Sequence, residues 1–391
     1  MREGWVEKRL KDVASVFAGQ SAPQKKEDYS LTGTPFIKAG NLSELISGKN
    51  EDSILKVTDF AVEKYGLKKY KSGSVLFAKS GMSCLKGYVY VTKCDCYVVS
   101  HLAIVQPKDK VNSYYLKYHF MYHKPYLLAK DTAYPSISIA DILNYKIILP
   151  KIEKQEQIVS ELDMITEMIS KYDEQLKELD KLSLSIFYEM FGDPVENEKG
   201  WGFDTIKNLC SDIVDCPHST PQKVRHVTNY PCIRTSELKN GNISWDTMQY
   251  INEEEYQTRI ARFCPKDGDI VFGREGSIGG AVILPKGYHF CLGQRTMLFR
   301  VKLSIVSNIY FHRLLLSEWM KRNIRKVNVS STVAHINIKD IKCFCLPVPP
   351  LALQQSFARK IEAIEAMKSK VREAKKEAET LLAARMQYWF E

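Results

Sequence analysis

The side chains best suited to chemistry in this chain are polar and basic residues on short turns, and they come in two matching sets. Lys38 and Asn41 stand in the first set where Arg234 and Glu237 stand in the second. Lys79-Ser80 answers to Arg274-Glu275, with Ser277 close behind, and Ser100-His101 answers to Gln294-Arg295. A polar loop holding Ser136 and Ser138 answers to one holding His335, while Lys223 and Arg225 add two cations ahead of the second set. Arg pairs bidentately with guanine, Asn and Gln with adenine, and Glu accepts from cytosine, so these residue types suit base-edge readout in a DNA groove, with Lys and Arg also serving phosphates. Matching positions hold different side chains, which implies one scaffold with two sets of reading residues. For any one of them a solvated loop residue is the competing interpretation.

Reaction chemistry has no comparable signal. The chain has no phosphate-binding P-loop, no G-x-S-x-G, no H-E-x-x-H, and no Asn/Asp-Pro-Pro-aromatic run of the kind that surrounds a flipped base, Asp193-Pro194 being followed by Val195. The glycine-rich run Gly273 to Gly280 lacks the spacing of a phosphate cradle and is expected to be a strand-to-strand turn. Ten cysteines occur without a C-x-x-C, and the pairs Cys94/Cys96 and Cys343/Cys345 fall in strand-like runs. They are expected to be reduced, mostly buried thiols, with no metal site and no cofactor.

The elements that must carry the turns are themselves repeated. Pro35-Phe36-Ile37-Lys38-Ala39-Gly40-Asn41-Leu42 returns 196 positions later as Pro231-Cys232-Ile233-Arg234-Thr235-Ser236-Glu237-Leu238, and Trp5 returns as Trp201. Val75–Ala78 and Ile270–Gly273 are short apolar runs after Lys-x-Gly turns, and 88–91, 97–99 and 147–149 have similar strand composition. Helical stretches are expected over 113–129 and 308–327. After Leu149-Pro150 and Leu346-Pro347 the pattern changes to heptads. Ile158, Leu162, Ile165, Ile169, Tyr172, Leu176, Leu179, Ile186 and Met190 form one seam, interrupted by Ser183; Phe357, Ile361, Ile364, Val371, Ala378, Leu382 and Trp389 form another, interrupted by Lys368, Lys375 and Arg385.

Charge follows the same division. Residues 1–150 carry 22 Lys and Arg against 14 Asp and Glu, and 200–350 carry 20 against 13, whereas 151–199 carry 6 against 13 and 351–391 carry 8 against 6. Basic modules suit a polyanion, and an acidic seam beside a basic one favours pairing of the two helices. In a tandem repeat the simplest pairing is antiparallel, with a pseudo-twofold between the modules. No apolar run approaches the ~20 residues of a membrane span, so no membrane partner is expected, and the cysteine usage points to the cytoplasm.

With these motifs assembled, the chain resembles the specificity subunit of type I restriction-modification systems over nearly its whole length. The resemblance is carried by 35–42 and 231–238, by Gly268-Asp269-Ile270-Val271-Phe272-Gly273-Arg274-Glu275-Gly276 with Gly279, and by Leu346-Pro347-Val348-Pro349-Pro350-Leu351 with Gln354 behind it. The first copy departs from it, because Leu149-Pro150-Lys151-Ile152 lacks the doubled proline. The resemblance implies two target recognition domains, each reading half of a bipartite, asymmetric site on double-stranded DNA, and spacer helices that set the gap. It further implies two methyltransferase subunits acting on adenine with S-adenosylmethionine, two ATP-dependent restriction subunits, and no catalysis by the chain itself.

The expected architecture is a mixed α/β (α+β) tandem repeat. It places recognition domains over 1–150 and 193–350 and antiparallel coiled-coil helices over 151–192 and 351–391. On that reading Ile158, Leu162, Ile165, Ile169, Leu176, Leu179, Phe357, Ile361, Ile364, Val371 and Leu382 serve the coiled coil or partner docking. A coiled-coil adaptor, or a tandem RNA-binding protein without duplex specificity, also fits the residues and predicts no bipartite duplex motif.

Overall fold

A computed structural model of the chain describes residues 4–129, 131, 133–276, 278–327 and 335–391. It divides into two compact units, Met1–Asp173 with Glu373–Glu391, and Glu174–Arg372.

In the first unit a four-stranded antiparallel sheet has the order Ala14–Ala18, Leu102–Pro107, Val75–Ala78, Val89–Val91. Val75–Ala78 is buried along its whole length, which is why it reads as an unbroken apolar run rather than an alternating one. A second sheet has the order Tyr29–Ser30, Lys56–Val57, Thr34–Ile37, Tyr97–Val98, and its last pair is parallel, Phe36 opposite Tyr97 and Ile37 opposite Val98. Val6–Arg9 pairs antiparallel with Lys146–Leu149. The helix Ser113–His123 begins where the Asn112 side chain accepts from the N–H groups of Tyr114 and Tyr115 at 2.8 and 3.2 Å, and it buries Tyr115, Leu116, Tyr118 and Phe120. It stops short of the expected 129, because Lys124 turns to φ 48° ahead of Pro125, which has no N–H and excludes helical geometry from its predecessor.

The second unit repeats this plan. Cys210–Asp215, Thr296–Val301, Ile270–Gly273 and Ala281–Ile283 form the antiparallel sheet; Lys223–Val224, Gln249–Ile251, Pro231–Ile233 and Cys291–Leu292 form the mixed one, with Cys232 opposite Cys291 in its parallel pair. Phe203–Thr205 pairs with Cys345–Pro347, and a short hairpin, Leu238–Lys239 with Asn242–Ile243, is added. The expected helix over 308–327 is two helices, Asn308–Leu316 and Glu318–Val327, broken at Ser317, whose extended backbone is fixed by its hydroxyl donating to the Leu314 carbonyl at 2.7 Å. Cys343 ends the helix Ile338–Cys343 and Cys94 lies in a turn, so neither C-x-C pair is contained in a strand. Six cysteines are buried, Cys94 is half-buried, and Cys264, Cys343 and Cys345 are exposed. Among the described residues no cluster of His, Cys, Asp and Glu could hold a metal, and no helix is long and apolar enough to cross a membrane.

The two proline-headed segments are 40-residue helices, Ile152–Phe191 and Leu351–Phe390, each divided between the units. Within each unit their segments run antiparallel. In the first unit Arg385 binds Glu161 and Lys375 reaches Asp173 at 2.6 Å; in the second Lys368 reaches Asp180 at 2.5 Å while Phe357 packs on Phe187 and Phe191. The three basic residues that interrupt one heptad seam are thus the partners of acids on the other. Ser183, the interruption in the first seam, accepts from Arg313 of the recognition sheet's helix. Beyond it the buried face moves to Phe187 and Phe191 instead of Ile186 and Met190, the drift expected when a 3.6-residue helix is read with a 3.5-residue repeat.

One glutamine ties each long helix to its unit. Gln155 Oε1 accepts from Asn112 N at 2.9 Å and its Nε2 donates to the carbonyls of Pro150 and Lys110; Gln354 Oε1 accepts from Ser307 N at 2.8 Å and its Nε2 donates to Pro349 and Ile305. The clamp is the same with the doubled proline and without it. Both glutamines are buried, so a Gln354→Leu variant leaves three polar groups unpaired and is expected to lose on the order of 2–4 kcal/mol. Thermal unfolding checks this; an unchanged midpoint would show that the clamp is dispensable.

Candidate nucleic-acid interface

Three segments meet at one edge of each unit, and the same backbone contacts join them. In the first unit the buried strand Val75–Ala78 ends at Lys79, whose N–H donates to the His101 carbonyl at 2.9 Å and whose carbonyl accepts from Ile137 at 2.7 Å. Ser80 pairs with Ser136 across a β-bridge. In the second unit Arg274 N–H donates to Arg295 O at 3.0 Å, Arg274 O accepts from Ile336 at 3.0 Å, and Glu275 bridges to His335. Gly81 and Gly276 follow at φ 75° and 69°, a conformation that costs a residue with a Cβ. The parallel strand pairs bring a fourth turn alongside, because parallel strands end together: Val99 donates to Ile37 just before Lys38, and Gly293 donates to Ile233 just before Arg234. Gly293 can only be glycine there, since a Cβ would lie 2.4 Å from Arg234 Cγ.

The side chains differ sharply between the copies. In the first unit Ser80 Oγ lies 2.9 Å from His101 Nδ1, His101 and Ser136 are exposed, and Lys79 is half-buried. In the second unit a charged network fills the same place. Arg274 lies between Asp215, at 3.0 Å from its Nε, and Glu275, at 3.3 Å from its Nη1, and its side chain is 8% exposed. Glu275 also meets His335 Nδ1 at 3.0 Å and Arg295 Nε at 3.8 Å. His335 Nε2 lies 3.1 Å from Asn337 Oδ1, so both ring nitrogens are engaged.

Several expected readers have partners within the protein. Glu237 is buried, binding the Arg234 backbone N–H at 2.8 Å and its guanidinium at 2.7 Å, so it is not placed to meet a cytosine. Asn41 makes the equivalent contact, its Oδ1 accepting from Lys38 N at 2.9 Å. Both positions hold a turn closed, which explains why they recur. Gln294 spends its amide on the His218 carbonyl and Thr220, at 3.0 and 3.2 Å, and Ser138 caps the helix Ile139–Leu143 through Asp141. Arg274 is a strut between carboxylates rather than a free donor. Arg295, at φ 66° and with 64% of its side chain exposed, points outward from the network. Lys38 lies over the Tyr29 ring at 4.6 Å. Lys223 and Arg225 are exposed, Lys223 on the sheet edge opposite the strand that leads to Arg295. Ser277 and residues 328–334 of the second polar loop lie outside the described residues.

Two contributors have no forecast in the sequence reading. Asp215 anchors Arg274, and His218, 77% exposed, sits 3.4 Å from Asp215 Oδ2. The only cue was the turn composition of Cys216-Pro217-His218-Ser219-Thr220-Pro221 after a strand. The helix seams are largely covered within their units. Ile158, Leu162, Ile165, Phe357, Ile361 and Ile364 are buried inside their units, and Ile169, Leu176, Leu179, Val371 and Leu382 are half-buried, whereas Met164, Met168, Met367 and Leu381 are exposed.

Two mixed α/β modules with the same turn cluster, each followed by a long helix, define a tandem-repeat protein. A family model described as the type I restriction modification DNA specificity domain matches residues 2–180 and again 198–379. The chain belongs to this family and carries its domain twice. It is 22% identical to the type I restriction enzyme MjaVIII specificity subunit of Methanocaldococcus jannaschii, over 97% of this chain and 92% of that protein. It is 23% identical to the putative type I restriction enzyme MjaX specificity subunit of the same organism, over 97% and 93%. In fold it is similar to the crystal structure of the S subunit of a type I restriction-modification system from M. genitalium, with a TM-score of 0.60 at 12% identity, covering 99% of this chain and 96% of that one. The reading of the chain as a DNA-specificity subunit stands, and the adaptor and RNA-binding alternatives are not favoured.

Proposed function

We propose that the two units read the two halves of one bipartite, asymmetric duplex site. The observation that carries this is the repeated convergence of three segments on Lys79 and on Arg274 with unlike side chains at matching places. Lys79, Ser80, His101 and Ser136 read one half-site. Arg295 reads the other, held by Glu275 and His335, while Lys38, Arg234, Lys223 and Arg225 contact phosphates or flanking bases. The recognition domains are 1–150 and 193–350, and the helical segments 151–192 and 351–391 set the gap between half-sites. The exposed Met164, Met168, Met367 and Leu381 belong to the surface that docks two methyltransferase subunits, which methylate adenine; two ATP-dependent restriction subunits complete the assembly. The chain itself contributes specificity and no catalysis, in the cytoplasm. Single-molecule methylation sequencing of DNA from cells expressing the chain with its cognate methyltransferase tests this. A bipartite adenine motif that vanishes without the chain is expected; a motif independent of the chain would overturn the reading.

A further inference from the structure

The net charge of the second module is not explained by its reading cluster, where Arg234 and Arg274 each face carboxylates. Much of it sits instead on the helix Glu318–Val327. That helix buries Trp319 and Met320 and turns Lys321, Arg322, Arg325 and Lys326 outward, with Glu318 as its single acid. Lys321 with Arg325, and Arg322 with Lys326, are like charges four residues apart, which destabilise an isolated helix. Their ion-pair partners among the described residues are surface acids: Glu318 at 3.7 Å from Lys321 and 2.9 Å from Arg325, and Glu196 at 3.7 Å from Arg322. Pairs this exposed are weak and leave the cations open to a stronger anion.

The helix is positioned beside the reading turn. Gly273 and Gly280 close the turn that carries Arg274 and Glu275, and Ile324 packs against it, its Cδ1 3.5 Å from where a Cβ on Gly279 would stand. Among the described residues of the first module, Ser113–His123 is followed by the short turn Pro125–Leu128, which holds no charged residue.

We infer that Glu318–Val327 is a phosphate clamp for the DNA backbone flanking the second half-site, supplying sequence-independent grip there. This rests on the duplex-reading function proposed above. The second module then adds a backbone grip from a helix outside its turn cluster.

The test is a combined Lys321→Gln, Arg322→Gln, Arg325→Gln, Lys326→Gln variant of the full chain, with binding to motif-bearing and mixed-sequence duplexes measured across salt concentrations. Each lost phosphate contact lowers the dependence of log K on log salt by about 0.9, so a loss approaching ~3.6 is expected if all four engage. Both duplexes should weaken by the same factor, and the methylated motif should not change. A second arm leaves the protein untouched: neutral methylphosphonate linkages flanking the second half-site should weaken the wild type and add nothing to the variant. An unchanged salt slope would overturn the clamp, as would a defect confined to methyltransferase assembly, which would make this face a protein-docking surface. If the wild type itself showed no preference for duplex over single strands, the reading function would fail instead, a distinguishable outcome.

Discussion

An Arg274→Ala variant is expected to lose recognition of the second half-site and to keep recognition of the first. The guanidinium stands between Asp215 and Glu275, and removing it leaves two carboxylates facing each other without their shared counter-charge. Breaking such a pair costs on the order of 3 kcal/mol, somewhat less where the acids keep partial solvent contact, as these do. Glu275 would then release His335 and Arg295, so the whole cluster loosens. Arg295→Ala should behave differently. Its side chain is mostly exposed, so stability should be unchanged while discrimination at one base pair falls by about 1–3 kcal/mol. Thermal unfolding with half-site competition separates the two cases. Equal effects on stability and affinity in both variants would show that strut and reader are not distinct.

Lengthening both long helices is expected to change the gap and nothing else. Four residues inserted between Asp173 and Glu174, and four between Arg372 and Glu373, fall at the boundary of the units and leave the Asp173–Lys375 and Asp180–Lys368 pairs intact. Four residues add about 6 Å and roughly one turn, equivalent to about two base pairs of duplex. Both half-sites should be retained around a longer gap. If the methylated motif keeps its original spacing, the helices do not set it.

Much of the architecture was legible because it rests on local periodicity. The buried strand at 75–78, its counterpart at 270–273 and the two heptad helices follow from apolar spacing, and Lys368, Lys375 and Arg385 could be read as partners for an acidic seam. The helix limits near Lys124 and Ser317 were missed because one proline and one hydroxyl override helical composition. The turn clusters are visible through their repetition, but repetition marks scaffold as readily as contact. Asn41 and Glu237 recur because each closes the same turn. Whether Arg274 is free depends on Asp215, 59 positions earlier, and whether Gln294 is free depends on His218, 76 earlier; such burial is set by tertiary partners that no local window contains. The basic face of Glu318–Val327 was visible in composition, yet its place beside the reading turn depends on Ile324 meeting Gly279.

The most direct test of the central claim is a comparison of methylomes from cells expressing the wild type, Arg295→Ala, or a Ser80→Ala, His101→Ala double variant with the same methyltransferase. The expected result is a motif that relaxes in one half with Arg295→Ala and in the other half with the double variant, at unchanged spacing. Relaxation of both halves by either variant, or of the same half by both, would contradict the assignment of one half-site to each unit.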